Sequence, residues 1–256
     1  MTKYRSILGF FLYLFIFAAC TFKGVRTPSN IFYSDQRYQV SREDFPAIGR
    51  VFKNDDTSGD WGSGFLISSC HVLTAYHVLS PLEQGPISEN KTYYFETHLR
   101  EELIKGKVIV AGRPYLVETI QVNSEDWAVL KLESCFDESF AIEVLPLDLE
   151  DVLSLDVAVA GFPIDHDEKK VTVSDQCKTG YELNQNDEII PFDCAIREGN
   201  SGGPLLWTAP NGKVYAIGVV VASVGNFPQV VTSYATWLAN KAAPIPRDLK
   251  ANLKHD

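Results

Sequence analysis

The chain has 256 residues, enough for one or two domains with a sizeable buried core. A composition of 45% hydrophobic, 22% charged and 12% aromatic residues excludes a disordered or collagen-like chain. The formal charge is −10, and a surface of that sign repels phosphate backbones, which argues against nucleic acid as a partner.

The N-terminus has the pattern of an export signal over residues 1–19. Lys3 and Arg5 make a short positive region, the run Ile7–Phe17 is apolar, and Ala18 and Ala19 supply small residues before a cleavage point. The apolar run is too short to span a bilayer comfortably, so a cleaved signal is expected rather than a membrane span. Phe17-Ala18-Ala19-Cys20 resembles a bacterial lipobox, in which the cysteine is lipidated and becomes the new N-terminus. Lipidation at Cys20 and ordinary signal cleavage both place the protein outside the cytoplasm; the former attaches it to a membrane. Residues 20–40 are polar without clear periodicity and are expected to form a tether.

Short β-branched and apolar runs then follow one another: Gly64–Ile67, Val72–Ala75, Val108–Ala111, Leu116–Val122 and Ala128–Leu132, then Val157–Ala160, Val171–Val173, Leu205–Trp207 and Val214–Ala222. Turn-rich pieces such as Asn54–Asp60, Gly112-Arg113-Pro114 and Pro210-Asn211-Gly212 separate them. Many short strands at this spacing predict an all-β sandwich or pair of barrels. One helix is expected, Thr232–Lys241, with Tyr234, Ala235, Trp237 and Leu238 on an apolar face and Pro244 and Pro246 beyond it. The acidic segment Leu147–Leu155 joins two halves, 41–146 and 147–241, and residues 242–256 read as a polar tail. Of five cysteines, Cys20 is set aside if it carries lipid; Cys70, Cys135, Cys177 and Cys194 then allow two disulfides in three pairings. The competing zinc reading lacks any C-x-x-C or H-x-x-x-H spacing, so no metal is expected.

Cutting an amide bond needs a nucleophile, a base beside it and donors for the oxyanion. Three segments carry such groups. Val72-Leu73-Thr74-Ala75-Tyr76-His77 is an apolar strand ending in a small residue and a histidine. Asp126-Trp127-Ala128-Val129-Leu130-Lys131-Leu132 places an acid at the mouth of a buried strand. Arg197-Glu198-Gly199-Asn200-Ser201-Gly202-Gly203-Pro204 sets a serine in a glycine-rich turn, where backbone at positive φ can aim two N–H groups at one point. Singly, each has an ordinary explanation: a packing histidine, a surface carboxylate, a tight bend.

Together, in the order His, Asp, Ser, they resemble the trypsin-like serine peptidase family over about residues 45–240, nearest to its bacterial branch of glutamyl endopeptidases and HtrA-type protease domains. The resemblance implies two antiparallel Greek-key β-barrels with a short C-terminal helix. It further implies a serine endopeptidase acting on protein or peptide substrates without a cofactor. Ser201 would attack the carbonyl, His77 would shuttle the proton, and Asp126 would hold the imidazole tautomer. The N–H groups of Gly199 and Ser201 would form the oxyanion hole. The glycine turn also fits the nucleophile elbow of α/β-hydrolases, but that fold needs acid and histidine after the serine, and only His255 follows Ser201.

Further expectations rest on the same resemblance. Digestive members carry an aspartate before the nucleophile that pairs with a newly freed N-terminus; Asn200 stands there and has no charge to offer. The strand after Cys70 would lie antiparallel to the one starting at Asp126, which brings Cys135 to Cys70. Cys177 and Cys194 sit at neighbouring strand ends that a hairpin joins. The primary specificity pocket would have its base near Ala195 and its walls at Val220, Val221, Ala222 and Ser223. It has no aspartate for a basic side chain and no histidine for glutamate, so an apolar residue of small to medium size is expected there. The alternative from another class is a catalytically silent binding protein on the same fold.

Overall fold

The first described strand, β1 (Tyr38–Val40), does not join its neighbours in sequence; its partners come more than a hundred residues later. The next six, β2 (Ile48–Phe52), β3 (Trp61–Leu66), β4 (His71–Thr74), β5 (Tyr93–Glu96), β6 (Ile104–Ala111) and β7 (Ala128–Leu132), close into a barrel in the order β2-β3-β4-β7-β6-β5. The remaining strands are β8 (Asp156–Gly161), β9 (Val171–Lys178), β10 (Ile190–Phe192), β11 (Pro204–Thr208), β12 (Val214–Ala222) and β13 (Asn240–Pro244). With β1 they form a seven-stranded sheet, β1-β9-β8-β11-β12-β13-β10. These assignments come from a computed structural model that describes residues 35–80, 87, 90–100, 102–112, 124–180, 189–222, 240–249 and 253. The signal, Cys20, the tether up to residue 34, the strand expected at Leu116–Val122, Ser223 and residues 232–239 of the expected helix lie outside the described residues.

The second sheet curls back on itself. Lys178 O accepts from Asp193 N at 3.0 Å, Gly180 N donates to Pro191 O at 2.8 Å, and Thr179 bridges Phe192. One edge of β9 is therefore divided: Val171–Val173 take β1, and the residues from Lys178 onward take the β10 segment. Every pairing between named strands is antiparallel, as expected of an all-β pair of barrels.

Period-two alternation puts Val51, Leu66, Val72, Phe95 and Leu130 on one face, inside the first barrel, each fully buried. Burying one such side chain contributes about 1.5–3 kcal/mol. The same cluster runs on through Ala160, Phe162, Val171, Leu206 and Val219, so apolar packing is continuous between the halves. A second cluster, with Val159, Ile190, Phe192, Leu205, Ile217 and Val220, fills the second sheet.

Three expectations need correcting. Asn240 and Lys241, assigned to the end of a helix, begin strand β13. The expected polar tail is anchored: Ala242, Ala243, Ile245 and Leu249 are buried, and β13 pairs with both β12 and β10. Small and apolar residues between prolines suit a short buried strand, whose ladder ends where Pro244 has no N–H to give. The tether likewise ends early, because Tyr38–Val40 form β1.

Candidate active site

The β4–β7 register pairs Thr74 with Ala128, so the chain beyond β4 and the chain before β7 emerge side by side. Beyond Thr74 the chain does not continue as strand; a single helical turn, α1 (Tyr76–Leu79), carries His77. Both oxygens of Asp126 are used by that one residue. His77 N donates to Oδ1 at 3.0 Å, and His77 Nδ1 lies 2.8 Å from Oδ2. The Asp126 side chain is 2% exposed and that of His77 26%. A buried carboxylate against Nδ1 keeps the proton there and leaves Nε2 with its lone pair on the other side of the ring. Burial opposes a charge on His77, as does the Lys53 ammonium; the Asp126 carboxylate outweighs both and holds the imidazolium pKa above its ordinary 6.5.

Ser201 sits half-buried in the turn before β11. Gly199 and Gly202 have φ of 88° and 87°, in the left-handed region where L side chains are strained. A Cβ on Gly199 would strike the Phe162 carbonyl, and one on Gly202 the Ser63 carbonyl and the Thr74 hydroxyl. Asn200 is buried, and its Oδ1 accepts from Arg197 N at 3.0 Å while Asn200 N donates to Arg197 O at 3.0 Å. The turn thus closes on a neutral amide instead of a charge pair. Gly202 N donates to Val220 O at 2.7 Å and Val220 N to Gly203 O at 2.9 Å, which tie the turn to β12.

The first barrel grips the same turn through a residue the sequence did not mark. Ser63 is fully buried on β3; its hydroxyl donates to Gly199 O at 2.6 Å and accepts from Phe162 N at 2.9 Å. Its backbone N donates to Ser201 O at 2.7 Å. Trp61, two residues earlier, gives its indole N–H to Phe162 O at 2.8 Å. The only local signal was the small-residue run Gly62-Ser63-Gly64, which marks close backbone approach without saying to what.

Of the expected pocket residues, Ala195, Val220 and Val221 are buried, and Ala195 N donates to Ser174 Oγ at 3.1 Å. Ala222 ends β12; Ser223 is outside the described residues. Cys177 and Cys194 are disulfide-bonded with Cα atoms 4.8 Å apart, and Cys70 and Cys135 with Cα atoms 4.4 Å apart.

Known proteins carry the same pattern. The family model for the trypsin-like peptidase domain matches residues 62–217, more than half of the chain. Protease Do-like 4, mitochondrial, of Arabidopsis thaliana is 27% identical over 167 residues, an alignment that takes in 63% of this chain and 28% of that protein. The chain therefore spans under a third of that relative's length. Among solved structures, a Glu endopeptidase in complex with MPD superposes with a TM-score of 0.60 at 14% identity, over 88% of this chain and 98% of that one. The serine endoprotease from Yersinia pestis gives 0.50 at 20% identity, over 84% and 66%. At such identities the superpositions speak for a shared fold. The chain belongs to the trypsin-like peptidase domain family.

Proposed function

We propose that the protein is a serine endopeptidase with Ser201 as nucleophile, His77 as general base and acid, and Asp126 as the residue that orients His77. The observation that carries this reading is the double hold of the buried Asp126 carboxylate on His77 N and Nδ1. Held so, the ring keeps Nε2 free to take the Ser201 proton as its oxygen attacks the scissile carbonyl. Oxyanion charge is met by the N–H groups of Gly199 and Ser201, and the imidazolium then protonates the leaving amine. Water, activated by the same histidine, cleaves the acyl-enzyme.

Covalent labelling with a fluorophosphonate tests this at Ser201. Wild-type protein should be labelled, and Ser201→Ala should not. Ser201→Ala and His77→Ala should each lose on the order of 10⁴–10⁶ in kcat without unfolding. A Ser201→Ala protein that keeps more than about 1% of the activity contradicts the assignment and identifies another nucleophile, whereas wild-type protein that is neither active nor labelled identifies a silent scaffold.

For the residue cut after, the reading is a small to medium apolar side chain. Support comes from the burial of Ala195, between the buried Cys194 and Ile196, and from the burial of the apolar Val220 and Val221. A buried cation or carboxylate without a partner would cost several kcal/mol there. Cleavage of a peptide library mainly after Arg, Lys or Glu would overturn it. Export and lipidation of Cys20 are proposed from the signal-like N-terminus. Mass spectrometry of the mature N-terminal peptide decides the point: an unmodified N-terminus at Thr21 or later, in the soluble fraction, rejects the lipid.

A further inference from the structure

The loop after β8, residues 162–168, lies directly against the nucleophile turn. Ile164 N donates to Glu198 O at 2.9 Å. That carbonyl belongs to the peptide whose other end is the Gly199 N–H. A trans peptide is planar, with C=O and N–H pointing in opposite directions, so a partner that fixes the carbonyl also fixes where the N–H is aimed. The Ile164 N–H thus sets the direction of one of the two donors assigned to the oxyanion. Both Pro163 Cα and Ile164 N would come within 3.2 Å of a Cβ on Gly199, so there is little room for the peptide to turn over.

The residue after Ile164 is Asp165, and Asp165 is seized by an arginine from the far end of the sequence. Arg37 Nη1 donates to Oδ1 at 2.9 Å and Nη2 to Oδ2 at 2.6 Å, a two-pronged contact. Asp35 steadies the guanidinium from behind, accepting from Arg37 Nε at 2.9 Å and from Nη2 at 2.8 Å. The Arg37 side chain is only 2% exposed. Its backbone is held in turn, because β1 begins one residue later and pairs Tyr38, Gln39 and Val40 with Val173, Thr172 and Val171; the Tyr38 hydroxyl also donates to Asp175 at 2.7 Å. Two other side chains reach Asp165: the neighbouring His166 through Nδ1 at 3.1 Å and Arg197 through Nε at 3.7 Å. Consistent with the geometry, the Asp165 carboxyl is held down to about 2, chiefly by its hydrogen bonds from Arg37.

Cations from the first barrel secure the rest of the loop. Arg50 Nη1 lies 2.7 Å from Glu168 Oε2, Arg42 donates to Glu168 O at 2.6 Å, and the Arg42 guanidinium stacks over the Phe162 ring at 4.9 Å. These contacts hold the two ends. Arg37 alone among the described arginines holds the middle by a two-pronged contact, next to the peptide that meets Glu198.

We propose that Arg37 is a positioning residue for the oxyanion donor Gly199, acting through Asp165 and Ile164, so that the enzyme is fully active only when the segment 35–40 is docked. The inference rests on the peptidase reading above. In this arrangement an internal arginine, at whatever point the N-terminus is trimmed before Asp35, does the fastening for which Asn200 offers no charge.

The test uses the full chain carrying Arg37→Ala, Arg37→Lys or Asp165→Asn, assayed on a peptide substrate. Misaiming a donor without deleting it should lower kcat about tenfold to a hundredfold, with KM unchanged within about twofold. A peptide boronate, whose tetrahedral adduct places an oxygen on the oxyanion donors, should lose affinity by a similar factor, whereas an uncleavable substrate-like peptide should bind as before. Arg37→Lys should recover part of the loss, since it keeps the charge and gives up the two-pronged contact. The Arg37→Ala and Asp165→Asn losses should not add in the double variant. Should Arg37→Ala fail to fold, Arg37→Lys and Asp165→Asn carry the same comparison. Wild-type kcat and boronate affinity in these variants, in protein that a fluorophosphonate still labels at Ser201, would overturn the clamp alone. A wild-type protein that the reagent does not label would instead overturn the peptidase reading.

Discussion

At His77 two opposing influences meet, and their balance has a measurable sign. Burial and Lys53 favour the neutral ring; the Asp126 carboxylate favours the imidazolium and prevails. The base must be neutral to accept the serine proton, so kcat/KM should rise with pH through a midpoint above 6.5. Asp126→Asn should remove most activity and shift that midpoint downward. A pH–rate profile for wild type with its midpoint below the ordinary histidine value would contradict the account. Ser63 offers a second residue-scale test. Ser63→Ala leaves Phe162 N without its acceptor and Gly199 O without its donor in a fully buried site, at a cost of about 1–3 kcal/mol. Chemical denaturation measures that loss directly, and a midpoint equal to wild type would show that water or a neighbour replaces the hydroxyl. The meeting of His77 with Asp126 was legible in the sequence because each lies in a run whose local pattern is distinctive. Ser63 was not, because its partners Gly199 and Phe162 lie about a hundred residues away and a buried serine has no local signature.

Strands were legible to the extent that they bury a recognisable run. Val214–Ala222 and Ala128–Leu132 were expected at their observed bounds, since each is a largely apolar stretch paired on both sides. The short edge and end pieces β1, β10 and β13 escaped: three to five residues make too little periodicity, and their pairing is decided by distant chain. The disulfides sit on such pairings and give the elements unequal dependence on them. Cys70–Cys135 closes a loop of separation 65 and Cys177–Cys194 one of separation 17. Loop-closure entropy then assigns about 4 kcal/mol to the first bridge and about 3 kcal/mol to the second. Paired Cys→Ser variants compared by denaturant midpoint should show the larger loss for 70–135. The opposite order would mean that local packing around Cys177 and Cys194, both buried in the second core, outweighs chain entropy.

Across the whole molecule, the halves are joined by one continuous apolar cluster and by a ring of cations, Arg37, Arg42 and Arg50, gathered on the 162–168 loop. The chain as a whole is acidic at −10, and each of these arginines is paired with carboxylates: Arg37 with Asp35 and Asp165, Arg42 with Glu96, and Arg50 with Glu96 and Glu168. An all-β pair of barrels was expected and is observed; that the segment before residue 41 completes the second sheet was not, since its polar residues give no hint that β9 has half an edge to spare.

The split edge of β9 also sets an order of events. Tyr38 is made early in synthesis, yet its partner Val173 follows 135 positions later in the register, and the pairing waits until β9 has found β8. The first described segment to be synthesised is thus among the last to settle, and contacts of such separation are slow to form. If activity depends on that docking, catalytic competence should lag behind formation of both barrels. In refolding followed by stopped-flow fluorescence and by burst labelling of Ser201, the labelling rate should reach its full value only in the final phase. Full competence that returns before the amides of β1 become protected from hydrogen exchange would break the link. Until its last strand is laid down, the chain would have a folded body that cuts only slowly, which shields a newly made protease from its own half-folded copies.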